Sequence, residues 1–180
     1  LYLDEQGESV RQGITTEEVI DTFDGPLVFN VKIYASFFED LEQRKSEGAI
    51  SDYAVVPYDW RLSIPDILAD GSIEQTLRDL AASSHPGKVT IIAHSNGGLI
   101  AKALVNRLGG EASDLIDQII LVAVPQVGTP KVVGAVLHGY DISVPFRFSD
   151  ARARDFLNNA PFIYHLLPHP DYYNRCRYCG

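Results

Sequence analysis

Lys88-Val89-Thr90-Ile91-Ile92-Ala93-His94-Ser95-Asn96-Gly97-Gly98-Leu99-Ile100-Ala101 changes structural period within one turn. Before Ser95 the residues are β-branched and apolar and follow a Pro86-Gly87 turn, so they read as a buried strand. After it, Leu99, Ile100, Ala103 and Leu104 fall at helical spacing until Gly109-Gly110, which predicts a helix over 97–108. A strand that runs through small-x-Ser-x-Gly straight into a helix is a specific context. The serine then occupies a strained turn with its hydroxyl pushed out at the top of a sheet. Close passage of the backbone there calls for small residues two before and two after it, here Ala93 and Gly97. Gly98 lets the helix lie tight against the strand. Ser95 is accordingly the candidate nucleophile. The backbone N–H of Asn96, at the positive end of the helix, points where an oxyanion would form. His94 is too close along the chain to serve Ser95 as a base, because adjacent residues on such a turn point apart. It reads as a packing or hydrogen-bonding residue.

Outward from this stretch, the apolar runs at 51–58 (Tyr53-Ala54-Val55-Val56) and 118–124 (Ile119-Ile120-Leu121-Val122) read as further buried strands. Residues 33–46 and 73–83 read as helices, the first ended by Gly48. Residues 15–20 look like a short capped helix, and 26–31 like a short strand or an extended lead-in. Strands apolar on both faces and separated by helices predict a parallel sheet covered by helices. Residues 53–57, 89–93 and 119–124 are expected to be adjacent parallel strands, with Ser95 at the carboxyl end of the middle one, where sites in such sheets lie. The fold class is α/β, in a single domain over residues 1–180. Residues 130–165 lose the alternation and read as a cap or lid subregion.

Composition narrows the partners. The chain has 180 residues, 46% of them hydrophobic and 22% charged, with a net charge of −9. That balance argues against a nucleic-acid surface and against a polybasic membrane patch. No apolar run reaches the ~18 residues of a spanning segment, and the first residues show no signal peptide. Transient contact with a lipid surface stays open. No metal-ligand spacing occurs, and no cofactor is called for. The two cysteines, Cys176 and Cys179, form a lone CxxC. Without a second pair or a strand-helix context it reads as a terminal pair, free or locally bridged.

Four stretches carry a family resemblance. Val56-Pro57-Tyr58-Asp59-Trp60-Arg61 resembles the PYDWR segment of lecithin:cholesterol acyltransferase-like proteins. Ala93-His94-Ser95-Asn96-Gly97-Gly98-Leu99 resembles their serine elbow, which usually carries Met where Asn96 stands. Val122-Ala123-Val124-Pro125-Gln126-Val127-Gly128-Thr129-Pro130 resembles their P-x-x-GTP turn. Ala160 to Pro168 resembles their P-S-A-Y-x-LLP segment. The four occur in the family's order and span about residues 33–170.

The resemblance implies an α/β-hydrolase fold and ester or acyl-transfer chemistry on lipid-like substrates. It implies a Ser-Asp-His triad in that chain order and an extracellular or periplasmic setting. It places Tyr58, Asp59 and Trp60 near the acyl site, although an Asp-Arg pair beside an aromatic also braces a loop. The family's oxyanion segment is not found in residues 1–50, and its acid and base follow the LLP segment. There is no Met at position 1 or elsewhere. The expectation is therefore a central portion, incomplete at both ends of the sheet, which holds the nucleophile and is inactive by itself.

Two alternatives remain. A complete minimal lipase would use residues 26–29 as oxyanion strand, Asp141, Asp150 or Asp155 as acid, and His165 or His169 as base. A non-catalytic hydrolase-fold binding module would need none of these. Phe146, Phe148, Phe156, Phe162 and Tyr164 line a lipid pocket or pack a core under either reading.

Overall fold

A computed structural model describes residues 3–4, 9–10, 16, 22–25, 28–32, 34–140 and 149–175. In chain order the elements are β1 (Thr22–Gly25), β2 (Val28–Lys32), α1 (Ala35–Ser46), α2 (Ile64–Ile67) and α3 (Ser72–Ser83). They continue with β3 (Val89–His94), α4 (Gly97–Leu108), a single 3-10 turn at Gly109–Glu111, α5 (Ala112–Leu115) and β4 (Ile116–Val122). The last part holds α6 (Lys131–His138), α7 (Asp150–Asn158), a 3-10 helix at Pro161–Leu166 and α8 (Pro170–Arg175).

β3 and β4 pair in parallel, with Ile91 opposite Ile119, Ala93 opposite Leu121 and His94 opposite Val122. A parallel pair needs a crossover, which α4 supplies. Side chains alternate across a strand, so Ile91 and Ala93 point to the face that α3 and α4 cover. Ile64, Ile67, Leu68, Leu77, Ile100 and Leu104 lie at the centre of the main core there. The opposite face carries Ile92 and Val122, 47% and 45% exposed. The expectation that both faces of these strands are buried therefore fails among the described residues, because the helices pack on one side only.

The expected strand at 53–57 does not form: no ladder runs through these residues. Val55 and Val56 are exposed, and the start of the segment is drawn to α1. The Tyr53 hydroxyl donates to Glu42 at 2.6 Å, and Lys45 pairs with Asp52 at 2.7 Å. β-branched residues fit a pleated, half-buried surface but do not create one without a neighbour. The described parallel sheet thus has two strands rather than three. A separate antiparallel hairpin joins β1 to β2, with Phe23 opposite Val31. The lead-in read at 26–31 is this second strand, except that Pro26 and Leu27 lie outside the described residues. So does the short helix expected at 15–20, apart from Thr16.

The region read as a cap is helical and has its own core, in which Val132 and Ala135 of α6 meet Leu157 and Ile163. It is tied to the rest of the chain at several points. Phe162 N–H donates to the Arg61 carbonyl at 3.5 Å, Thr129 N–H to Leu166 at 2.9 Å and His169 N–H to Val127 at 2.9 Å. Two of the recognised stretches meet at Gly128. Its φ is +77°, and a Cβ there would lie 2.1 Å from the Leu167 carbonyl oxygen. Both the left-handed backbone and the close approach require glycine.

Candidate active site

β3 ends at His94 and α4 begins at Gly97, so the chain reverses within Ser95 and Asn96. Ser95 has φ +51°. For a residue with a Cβ this left-handed conformation costs about 1–3 kcal/mol and persists only where the surroundings impose it. Here its N–H is held by the Val122 carbonyl at 2.9 Å, while its own carbonyl accepts from Gly98 N–H at 3.1 Å. The side chain is exposed at the carboxyl end of the sheet. Ala123, which follows the end of β4, is also left-handed, with φ +49°. Ser95 is not the cap of α4. That position belongs to Asn96, whose side chain makes no capping bond. Among the described residues no backbone acceptor takes the Asn96 N–H.

The sequence rule for small residues is corrected in one detail. A Cβ on Gly97 would meet only the Tyr58 hydroxyl, at 4.0 Å, an ordinary contact. A Cβ on Gly98 would lie 2.2 Å from Val124 Cγ2 and 2.9 Å from Val124 Cβ. Gly98 is the sterically forced glycine, and the atom that forces it belongs to the turn after β4. Gly97→Ala is expected to change stability by less than about 0.5 kcal/mol. Gly98→Ala is expected to cost about 1–3 kcal/mol, part of it recovered in Gly98→Ala/Val124→Ala. Urea denaturation of the three variants checks this, and equal costs at the two glycines would contradict the packing.

Residues 58–62 pass between the two cores. Arg61 is 4% exposed, and its guanidinium binds the Asp59 carboxylate through Nε at 2.9 Å and 3.1 Å and through Nη2. Nη2 also donates to the Ser9 hydroxyl at 2.7 Å. The hydrogen bond from Arg61 holds the Asp59 carboxyl below the usual carboxylate range, and the bond to Asp59 raises Arg61. Asp59 therefore braces a loop. Trp60 turns the other way, edge-on to Phe156 and Phe162 with ring centroids 5.6 Å and 5.1 Å away. Tyr58 and Leu62 pack on the main core. Tyr58 alone of the three residues placed near an acyl site approaches the serine turn. Burial pushes its phenol up, and the neighbouring Asn96 side chain partly offsets that. The two groups are close without reaching hydrogen-bond geometry, since Asn96 Nδ2 and Oδ1 are buried with no partner among the described residues.

All five histidines are described, and among the described residues none hydrogen-bonds Ser95. His94 Nδ1 lies 2.7 Å from the Tyr34 hydroxyl. His165 Nε2 accepts from Ile64 N–H at 3.3 Å, across the start of α2. His169 is exposed and faces Asp171 at 3.4 Å. His138 stacks on Tyr140, and His85 is exposed in the turn after α3.

The residues named for the minimal-lipase alternative fall in several places. Among the described residues β2 pairs antiparallel with β1 and not with β3. Asp150 and Asp155 are exposed on α7. Asp141, Phe146, Phe148, Cys176 and Cys179 lie outside the described residues. Phe156 and Phe162 pack in the second core, and the Tyr164 hydroxyl donates to the Asn158 carbonyl at 3.1 Å. No group of three metal-ligating side chains and no helix long and apolar enough to cross a membrane occurs among the described residues.

Sequence reasoning missed the contributions of Val122 and Val124, because a backbone carbonyl and a valine methyl carry no motif. Comparison with known proteins shows that a family model described as lecithin:cholesterol acyltransferase matches residues 5–175. No curated protein and no solved structure matches.

Proposed function

This chain belongs to the lecithin:cholesterol acyltransferase family, and on that premise we propose that it is a serine acyl-hydrolase or acyltransferase of the α/β-hydrolase fold, acting on lipid-like esters through an acyl-enzyme at Ser95. The observation that carries the reading is the left-handed Ser95, exposed between a parallel strand and the N-terminus of a helix.

In the proposed reaction Ser95 Oγ attacks the ester carbonyl as a histidine takes its proton. The oxyanion is held by the Asn96 N–H at the start of α4. The C–O bond of the ester then breaks, the alcohol leaves with the proton, and the acyl group stays on Ser95. Water, or a second alcohol, attacks the acyl-enzyme and releases acid or a new ester. The hydrogen-bonding pattern of the five histidines supports a base contributed from outside residues 1–180, and the acid is proposed to come with it. By itself this stretch is expected to show little turnover.

The test incubates the full-length protein with a p-nitrophenyl ester, with and without a long-chain alcohol. Nitrophenol release that depends on Ser95 is expected, and a new ester appearing with the alcohol identifies an acyltransferase. Release that is equally fast in residues 1–180 alone would contradict the assignment of base and acid.

A further inference from the structure

The Asn96 carboxamide is a costly feature. Both of its polar atoms are buried, and neither has a hydrogen-bond partner among the described residues. An orphaned buried amide costs about 1–3 kcal/mol, and native proteins rarely keep one without a reason. It belongs to the same residue whose backbone N–H faces the proposed oxyanion, at the N-cap of α4.

The group beside it is the Tyr58 hydroxyl, which lies 4.0 Å from the position a Cβ would take on the next residue, Gly97. A phenol both donates and accepts, so its chemistry matches either end of the carboxamide beside it. Tyr58 is also held from both sides of the chain. Asp59 is locked to the buried Arg61, and Trp60 is wedged against Phe156 and Phe162. The hydroxyl is thus presented to Asn96 by a fixed backbone.

We propose that Tyr58 is a positioning residue: its hydroxyl engages the Asn96 carboxamide and thereby fixes the Asn96 peptide, whose N–H receives the oxyanion. The inference rests on the proposed roles of Ser95 and Asn96. The gain is realised when charge develops on the substrate oxygen, so it belongs to the transition state. Loss of the hydroxyl then lowers kcat and kcat/KM together and leaves KM in place. A residue that bound the ground-state substrate would instead raise KM, and one that only packed would lower the melting temperature.

The experiment is a double-mutant cycle in the full-length protein with a p-nitrophenyl ester. It uses Tyr58→Phe, Asn96→Leu and the double variant, with Ser95→Ala in the same assay. Asn96→Leu keeps the volume and removes an amide without a partner, so it is expected to fold; Asn96→Ala is the second choice. Tyr58→Phe is expected to lower kcat about tenfold, the worth of one hydrogen bond, with KM and melting temperature unchanged. In the Asn96→Leu background it is expected to do nothing further. Fully additive effects, a rise in KM, or no effect of Tyr58→Phe would overturn the inference while Ser95→Ala remains dead. Turnover that survives in Ser95→Ala would overturn the nucleophile assignment and the inference with it.

Discussion

Ser95→Ala is expected to remove ester turnover by the full-length protein by a factor of about 10⁴ or more, with the fold unchanged. No other described hydroxyl occupies a left-handed turn at the carboxyl end of the parallel sheet. Folding is expected to survive because the serine is held by its backbone. Its N–H bonds Val122 and its carbonyl accepts from Gly98, and both bonds remain in the variant. Alanine carries the same Cβ through φ +51°, so the cost of the conformation is unchanged. The measurement is p-nitrophenol release beside a thermal melt. Activity within tenfold of the parent at an unchanged melting temperature would remove Ser95 from the chemistry.

Asp59→Asn carries the second large effect, on stability. The substitution removes the charge that the buried Arg61 guanidinium grips through two nitrogens, while its bond to Ser9 remains. Losing a charge-assisted pair of this kind costs about 1.5–3 kcal/mol, more than a surface pair. Asp59 is held below its ordinary value by the hydrogen bond from Arg61. Its contribution is therefore fully present above the carboxylate value of an unfolded chain, about 3.9. It is lost as the pH falls through the lower folded value. Urea denaturation at pH 7 is expected to show the full gap between parent and variant. The gap is expected to narrow as the pH drops below about 4. A gap that is absent at pH 7, or constant into acid, would contradict the brace.

The parts of this site that were legible in the sequence are local ones. A β-rich run, a serine, two glycines and a helical period occupy consecutive residues, and β3, the Ser95 turn and α4 follow from them. What was misread depends on distant partners. Which glycine is forced is decided by Val124, on the far side of β4. The run at 53–57 has strand composition, but its edges find α1 side chains rather than a neighbouring strand. β1 passed unnoticed because a four-residue strand has too few residues to show a period. The role of Asp59 was undecidable from PYDWR alone, since a brace and a substrate contact use the same residues. The burial of Arg61 shows the brace.

The most direct test of the central claim is covalent. A fluorophosphonate reacts fastest with an activated serine hydroxyl. The full-length protein is labelled to completion, its loss of esterase activity is followed, and the adduct is located by peptide mass mapping. Cleavage after Lys88 and Lys102 isolates residues 89–102, with Ser95 as the one serine in that peptide. The expected result is a single adduct on this peptide, formed at the rate at which activity disappears. Complete inactivation with the adduct on any other serine would contradict the account.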